Sequence, residues 1–169
     1  MNYPEIISEI SRNKSIFKEL LTGLTKEIHL WKPDPEKWCI LEVVCHLLDE
    51  EKKDFRARIN HVLNTPAKPL PPIDPQNWVK SKKYIEQNYN EVLNKFLSER
   101  ENSVKWLGQL TNPDWNNAYH HPKLGPMTAK MLLGNWLAHD YLHIRQIIKL
   151  KYHYLKELTG EDLNYAGTW

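Results

Sequence analysis

The sequence predicts an all-α protein built as a four-helix bundle. Three observations carry that expectation. Four segments place apolar residues at spacings of three and four, no segment alternates with period two for long enough to make a strand, and proline-rich connections separate the periodic stretches.

The first helix starts at Pro4, a residue suited to an opening turn, and carries Ile6, Ile10, Phe17, Leu20 and Leu21 to a stop at Thr22-Gly23. The second is expected over 40–63, with Ile40, Val44, Leu47, Leu48, Phe55, Ile59 and Val62 on its stripe. Five prolines between Thr65 and Asn77 forbid a helix there and favour a semi-extended link. The third helix is expected from Trp78 or Lys80 to Leu110, with Ile85, Tyr89, Val92, Phe96, Leu97, Val104 and Leu107 on one side. Thr111–Pro126 reads as a loop. The fourth helix is expected over 128–150, capped by the Thr128 hydroxyl. A short helical stretch around Tyr154–Leu158 follows, and the final Trp169 suggests a docked tail. Long links leave the bundle topology open.

A chain of 169 residues is long enough to bury a core without disulfides, so one domain over residues 1–169 is expected. Charged residues make up 26% and the formal charge is +2, with no basic stripe to track a phosphate backbone. Nucleic acid is not an expected partner. No stretch is apolar for long enough to span a bilayer, and Met1-Asn2-Tyr3-Pro4-Glu5 does not open a signal peptide. Cys39 and Cys45 stand six residues apart and would point to different helix faces, so a reducing, cytoplasmic setting is expected.

The chemistry starts from His139 and His143 in the run His139-Asp140-Tyr141-Leu142-His143. Residues four apart on a helix stack with Cβ atoms roughly 5–6 Å apart, so two imidazoles can share one metal ion. Both fall on the apolar stripe Leu132, Trp136, Ile147, Leu150 and should point inward. The competing reading is a pair of hydrogen-bonded core histidines. A catalytic zinc usually takes three protein ligands. His29, His46, His61, His120, His121 and His153 are the histidine candidates for the third place. At 100° per residue His46 lies roughly 160° from the middle of its helix stripe, which argues for the surface, although Val43 and Leu47 flank it. Periodicity does not choose among them.

A wider pattern does. His46-Leu47-Leu48-Asp49-x-Glu51 follows the Trp-containing lead-in Trp38-Cys39-Ile40-Leu41-Glu42. A proline-rich link, a third helix with an arginine, His121-Pro122-x-x-Gly125-x-x-Thr128 and the His139/His143 helix come after it. This order, over roughly Ile6–Tyr152, resembles the DinB-like superfamily of metalloenzymes. The resemblance implies a four-helix bundle in which His46, His139 and His143 hold a divalent metal ion. Zinc and nickel lead as candidates, with iron and manganese behind them, since imidazole suits several metals. One departure is Cys39, standing where relatives often carry a Ser or Thr helix cap opposite Glu42; a thiol is a weaker acceptor.

Asp49, Glu50 and Asp140 are near enough in sequence to orient the ring nitrogens, though each also reads as a surface carboxylate. Arg100 interrupts an apolar stripe, which favours an ion pair between helices over a substrate contact. Trp136, one turn before His139, is placed to wall a metal pocket. The resulting expectation is a metal-dependent enzyme acting on a small molecule, as a hydrolase or as a transferase using a low-molecular-weight thiol, assembled as a homodimer. No general base is identifiable. A zincin reading of His139-Asp140-x-x-His143 fails because its third histidine would fall at Lys149. The non-enzymatic alternative is a metal-binding interaction protein.

Overall fold

The computed structural model describes residues 2–167. The expectation that Trp169 docks lies outside the described residues. Helix α1 (Tyr3–Leu21) starts where Asn2 accepts a hydrogen bond from Glu5 N–H. It ends at Thr22, followed by Gly23 at φ 76°, a conformation that glycine adopts without strain. The short α2 (Lys26–Leu30), absent from the sequence reading, leads to α3 (Ile40–Glu50). Glu42 accepts the Cys39 N–H at 2.9 Å, so the carboxylate half of the cap forms despite the thiol.

The second long helix holds the least expected local feature. Residues Glu51–Phe55 make a π-helical turn between α3 and α4 (Arg56–Asn64). Such a turn inserts one residue and rotates everything beyond it. Glu50 and Glu51 are thereby both buried, while Phe55, Ile59 and Val62 carry the apolar stripe onward.

The third long helix is shorter than predicted. A separate α5 (Pro75–Ser81), capped by Asp74, and a 3₁₀ turn at Tyr84–Glu86 precede α6 (Tyr89–Gln109). Lys83 at φ 50° breaks the run, and Asn88 caps α6 by accepting from Glu91 N–H. Ile85, assigned to the buried stripe, is 45% exposed as a result.

The predicted loop before the last helix contains an antiparallel hairpin, β1 (Ala118–His121) with β2 (Gly125–Thr128), paired from Ala118 with Thr128 to His121 with Gly125. Helix α7 (Ala129–Thr159) then runs nine residues past its expected end, to Gly160 at φ 68°. Its start is secured three times. The Thr128 hydroxyl accepts from Met131 N–H, as predicted, and the Asn117 and Trp115 carbonyls accept from Ala129 and Lys130 N–H.

Helix α1 packs on α6 and α7, and α3 packs on the same two. Helices α1 and α3, consecutive in the bundle, therefore lie diagonally across the core. Two apolar clusters fill it, one around Phe17, Val44, Leu47, Phe96 and Ile147, the other around Ile10, Phe55, Ile59, Leu133 and Trp136. A polar layer separates them. Arg100, 1% exposed, donates from Nε to both Glu51 oxygens (2.9 and 3.0 Å). Its terminal nitrogens bind Asp140 at 2.6 and 2.7 Å, and one of them also reaches the Ile10 carbonyl. Asn13 donates to Asp140 and the Trp136 indole N–H to Glu51. One guanidinium thus ties together the four long helices. No described helix is long and apolar enough to cross a membrane.

Candidate metal centre

Helix α3 is buried on almost every side from Ile40 to Leu47, so it has no solvent face on which His46 could lie. His46 is only 7% exposed, against the position that periodicity favoured, because a helix packed all round carries no usable stripe. Its imidazole meets those of His139 and His143 on α7. Nε2 of His46 lies 3.2 Å from Nε2 of His139, which lies 3.0 Å from Nε2 of His143. The ligating atoms of all three fall within 4.8 Å of one another. Nitrogens around one tetrahedral ion at about 2.0–2.1 Å would sit roughly 3.3 Å apart, so the cluster has the span of a single ion.

The rings are held in place. Gln146 Oε1 accepts the Nδ1 proton of His143 at 2.8 Å, which leaves the Nε2 lone pair facing the cluster. Nδ1 of His46 and Oε1 of Glu50 are both buried without a hydrogen bond, and they face each other at 3.8 Å. Trp38 packs against His46 and Phe55 against His139, with ring centres 5.1 and 5.0 Å apart.

Electrostatics keep the rings neutral. Burial, then His143, pushes His46 down to about 3. Burial, with His143, His46 and Arg100 adding to it, pushes His139 down to about 2. Burial lowers His143 too, against the opposing Gln146 bond. Neutral imidazole is the form that ligates a metal.

The DinB superfamily model matches residues 9–147, which is most of the chain. The chain belongs to the DinB superfamily. Among curated proteins no sequence match is found. Among solved structures it is similar to YfiT from Bacillus subtilis, described as a probable metal-dependent hydrolase with an unusual four-helix bundle topology. The TM-score is 0.78 at 19% identity, over 95% of this chain and 89% of that one. At that identity the likeness establishes the fold.

Within this DinB-superfamily bundle the other sequence candidates separate. Asp49 is engaged elsewhere, accepting from the Tyr84 hydroxyl at 2.5 Å and pairing with Lys82 at 2.6 Å. Asp140 turns into the core to Arg100, so it orients no imidazole, and the structural reading of Arg100 holds. Trp136 is wholly buried behind Phe55, stacked at 5.7 Å, so the rings against the histidines are Phe55 and Trp38 instead. Glu50 alone of the three carboxylates faces one of the three clustered imidazoles. Burial, then a hydrogen bond with Asp54, pushes it up to about 8.

Three of the other histidine candidates are occupied as well. His121 Nδ1 accepts the Lys123 and Leu124 N–H groups inside the hairpin turn, so the His-Pro-x-x-Gly-x-x-Thr motif builds the start of α7 and supplies no ligand. His29 stacks on Tyr89 and His61 bonds to the Lys68 carbonyl. The reading missed Gln146, which stands three residues after His143 and was open to inspection as an i+3 partner. A groove of about 600 Å³ opens beside His143. A larger one of about 750 Å³, between α1 and the end of α6, shares no lining residue with the histidines.

Acid should loosen the metal-free protein. The histidines titrate lower when folded than their unfolded value of about 6.5, so below that pH the unfolded chain takes up more protons. The raised Glu50 and Asp54 work in the opposite direction, but two carboxyls offset only part of three imidazoles. Stability is therefore expected to fall from pH 6.5 to 5, by about 1.4 kcal/mol per unit for each excess proton bound by the unfolded chain. A urea midpoint that rises over that interval would contradict the assignment of buried neutral rings.

Proposed function

We propose that this chain is a metal-dependent enzyme acting on a small molecule, with His46, His139 and His143 holding one divalent ion, zinc or nickel being the leading candidates. The observation that carries the reading is the convergence of three neutral imidazoles from two helices, one buried and two half-buried, with the Nε2 atoms of His46 and His143 lying 3.2 and 3.0 Å from that of His139, beside an open groove. When bound, such an ion polarises a substrate oxygen and lowers the pKa of a water or thiol in its open position. The chain's own residues set the conditions. Gln146 fixes the His143 tautomer, Glu50 stands 3.8 Å behind the Nδ1 of His46, and Trp38 and Phe55 keep the local dielectric low.

Hydrolysis is the reading supported by likeness to YfiT, whose description names a probable hydrolase. Transfer of a low-molecular-weight thiol is the second reading, and it rests on the carboxylates. Asp49 and Asp140 are committed to cations and Glu50 lies on the far side of its imidazole, which leaves no carboxylate among these three to activate water. A thiol lowered in pKa by a metal is its own nucleophile and needs no such base.

Cobalt(II) substitution tests both readings. The visible spectrum of the cobalt protein is expected to respond to added ligand, showing an open position. An intense sulfur-to-metal band on adding a thiol favours transfer; a response to pH alone favours hydrolysis. A four-coordinate spectrum indifferent to thiol, azide and pH would overturn the enzymatic reading and leave a structural metal in an interaction protein.

A further inference from the structure

The groove beside His143 is lined by Leu142, His143, Arg145, Gln146 and Lys149, all from α7. Its polar lining is one-sided. Arg145 offers a guanidinium and Lys149 an ammonium, both donor-only groups, and no carboxylate lines the groove. The Gln146 carbonyl oxygen is already committed to His143, so its amide N–H₂ is what remains to offer.

The cations are also unspent. Of the five arginines, Arg12, Arg56, Arg58 and Arg100 each sit in an ion pair with Glu or Asp. Arg145 makes none among the described residues, and neither does Lys149, four residues on and thus on the same helix face. In a chain with nearly balanced charge, an unpaired Arg and Lys bordering a histidine of the candidate centre are a directed field, not an average surface.

We infer that this groove binds an anionic group of the substrate, a carboxylate or phosphate, while the substrate's reacting end lies at the histidine cluster. The inference rests on the three-histidine reading and names the substrate class for that site. Distance limits the molecule. Lys149 is six residues beyond His143, a rise of about 9 Å along the helix, and Arg145 lies about 3 Å along it. The anion therefore sits roughly 3–9 Å along α7 from the ligating ring, and Leu142 offers apolar cover to a short connecting chain.

A matched pair of metal-binding probes separates this from general metal affinity. Octanohydroxamate and octanedioic monohydroxamate share a chelating head and an eight-carbon chain; the second ends in a carboxylate. Both are titrated into the metal-loaded full-length protein at low salt. The carboxylate probe is expected to bind about five- to tenfold tighter, as one or two charge-assisted contacts would give. The advantage should shrink at high salt. It should also vanish in the Arg145→Gln/Lys149→Gln double variant, with metal content and circular dichroism unchanged. Both side chains are exposed, so folding is not at stake. Equal affinity for the two probes, or no affinity for either while metal is bound, overturns the inference and leaves the metal site standing. Failure of the wild-type protein to bind metal overturns the reading beneath it.

Discussion

Arg100→Met is expected to lower stability by about 3–5 kcal/mol, the cost of leaving partners of a buried ion pair uncompensated. The side chain is 1% exposed and holds Glu51 and Asp140, which are 1% and 0% exposed. Burial alone would push the guanidinium's pKa down, and the two carboxylates outweigh it, so the group stays charged. Methionine keeps much of the volume and removes the charge, so the loss measures electrostatics and hydrogen bonding more than packing. Tm should fall on the order of 10 °C for a chain of this size. Adding Glu51→Gln and Asp140→Asn to the same variant removes the stranded charges and should restore a large part of the loss. A single variant as stable as the wild type in urea denaturation would show that the layer is solvated rather than buried.

That layer also marks where the sequence became hard to read. The bundle, the cap at Thr128 and the inward pair on α7 follow from local spacing, and the structure contains them. Glu51 does not follow, because a wheel drawn at a constant angle per residue cannot anticipate a π-helical turn. The inserted residue brings a carboxylate to Arg100 and Phe55 to His139. Asn13 looks like any polar residue of α1 until Asp140, 127 positions away, comes within 3.1 Å. The diagonal placement of α1 and α3 is equally non-local, since the long links permit several arrangements. Asn88 was legible as a cap, with Glu91 three residues on, but the unbroken apolar spacing from Val79 to Val92 concealed it.

The site divides along the same line. His139 and His143 are a local pattern, four apart on one helix. His46 is not: periodicity pointed outward, and only the order of motifs assigned it to the centre. His46→Ala is therefore the substitution that tests the three-histidine assignment most sharply. Three ligands share the affinity, and structural zinc sites bind with about 10–16 kcal/mol overall, so loss of one ligand should weaken binding by about a hundredfold or more. The measurement is metal stoichiometry after dialysis against a weak chelator, paired with Tm with and without added zinc. Wild-type protein should gain stability with metal in proportion to the logarithm of its concentration over Kd; the variant should gain little at the same concentration. His139→Ala should behave likewise, since its Nε2 is the atom within 3.2 Å of both neighbours. His121→Ala supplies the contrast. Its ring nitrogen serves the hairpin turn, so that variant should lose some stability and keep its metal. If His46→Ala retains full stoichiometry and affinity while His121→Ala loses both, the ligand set is wrong and the lead-in motif of α7 carries the metal instead.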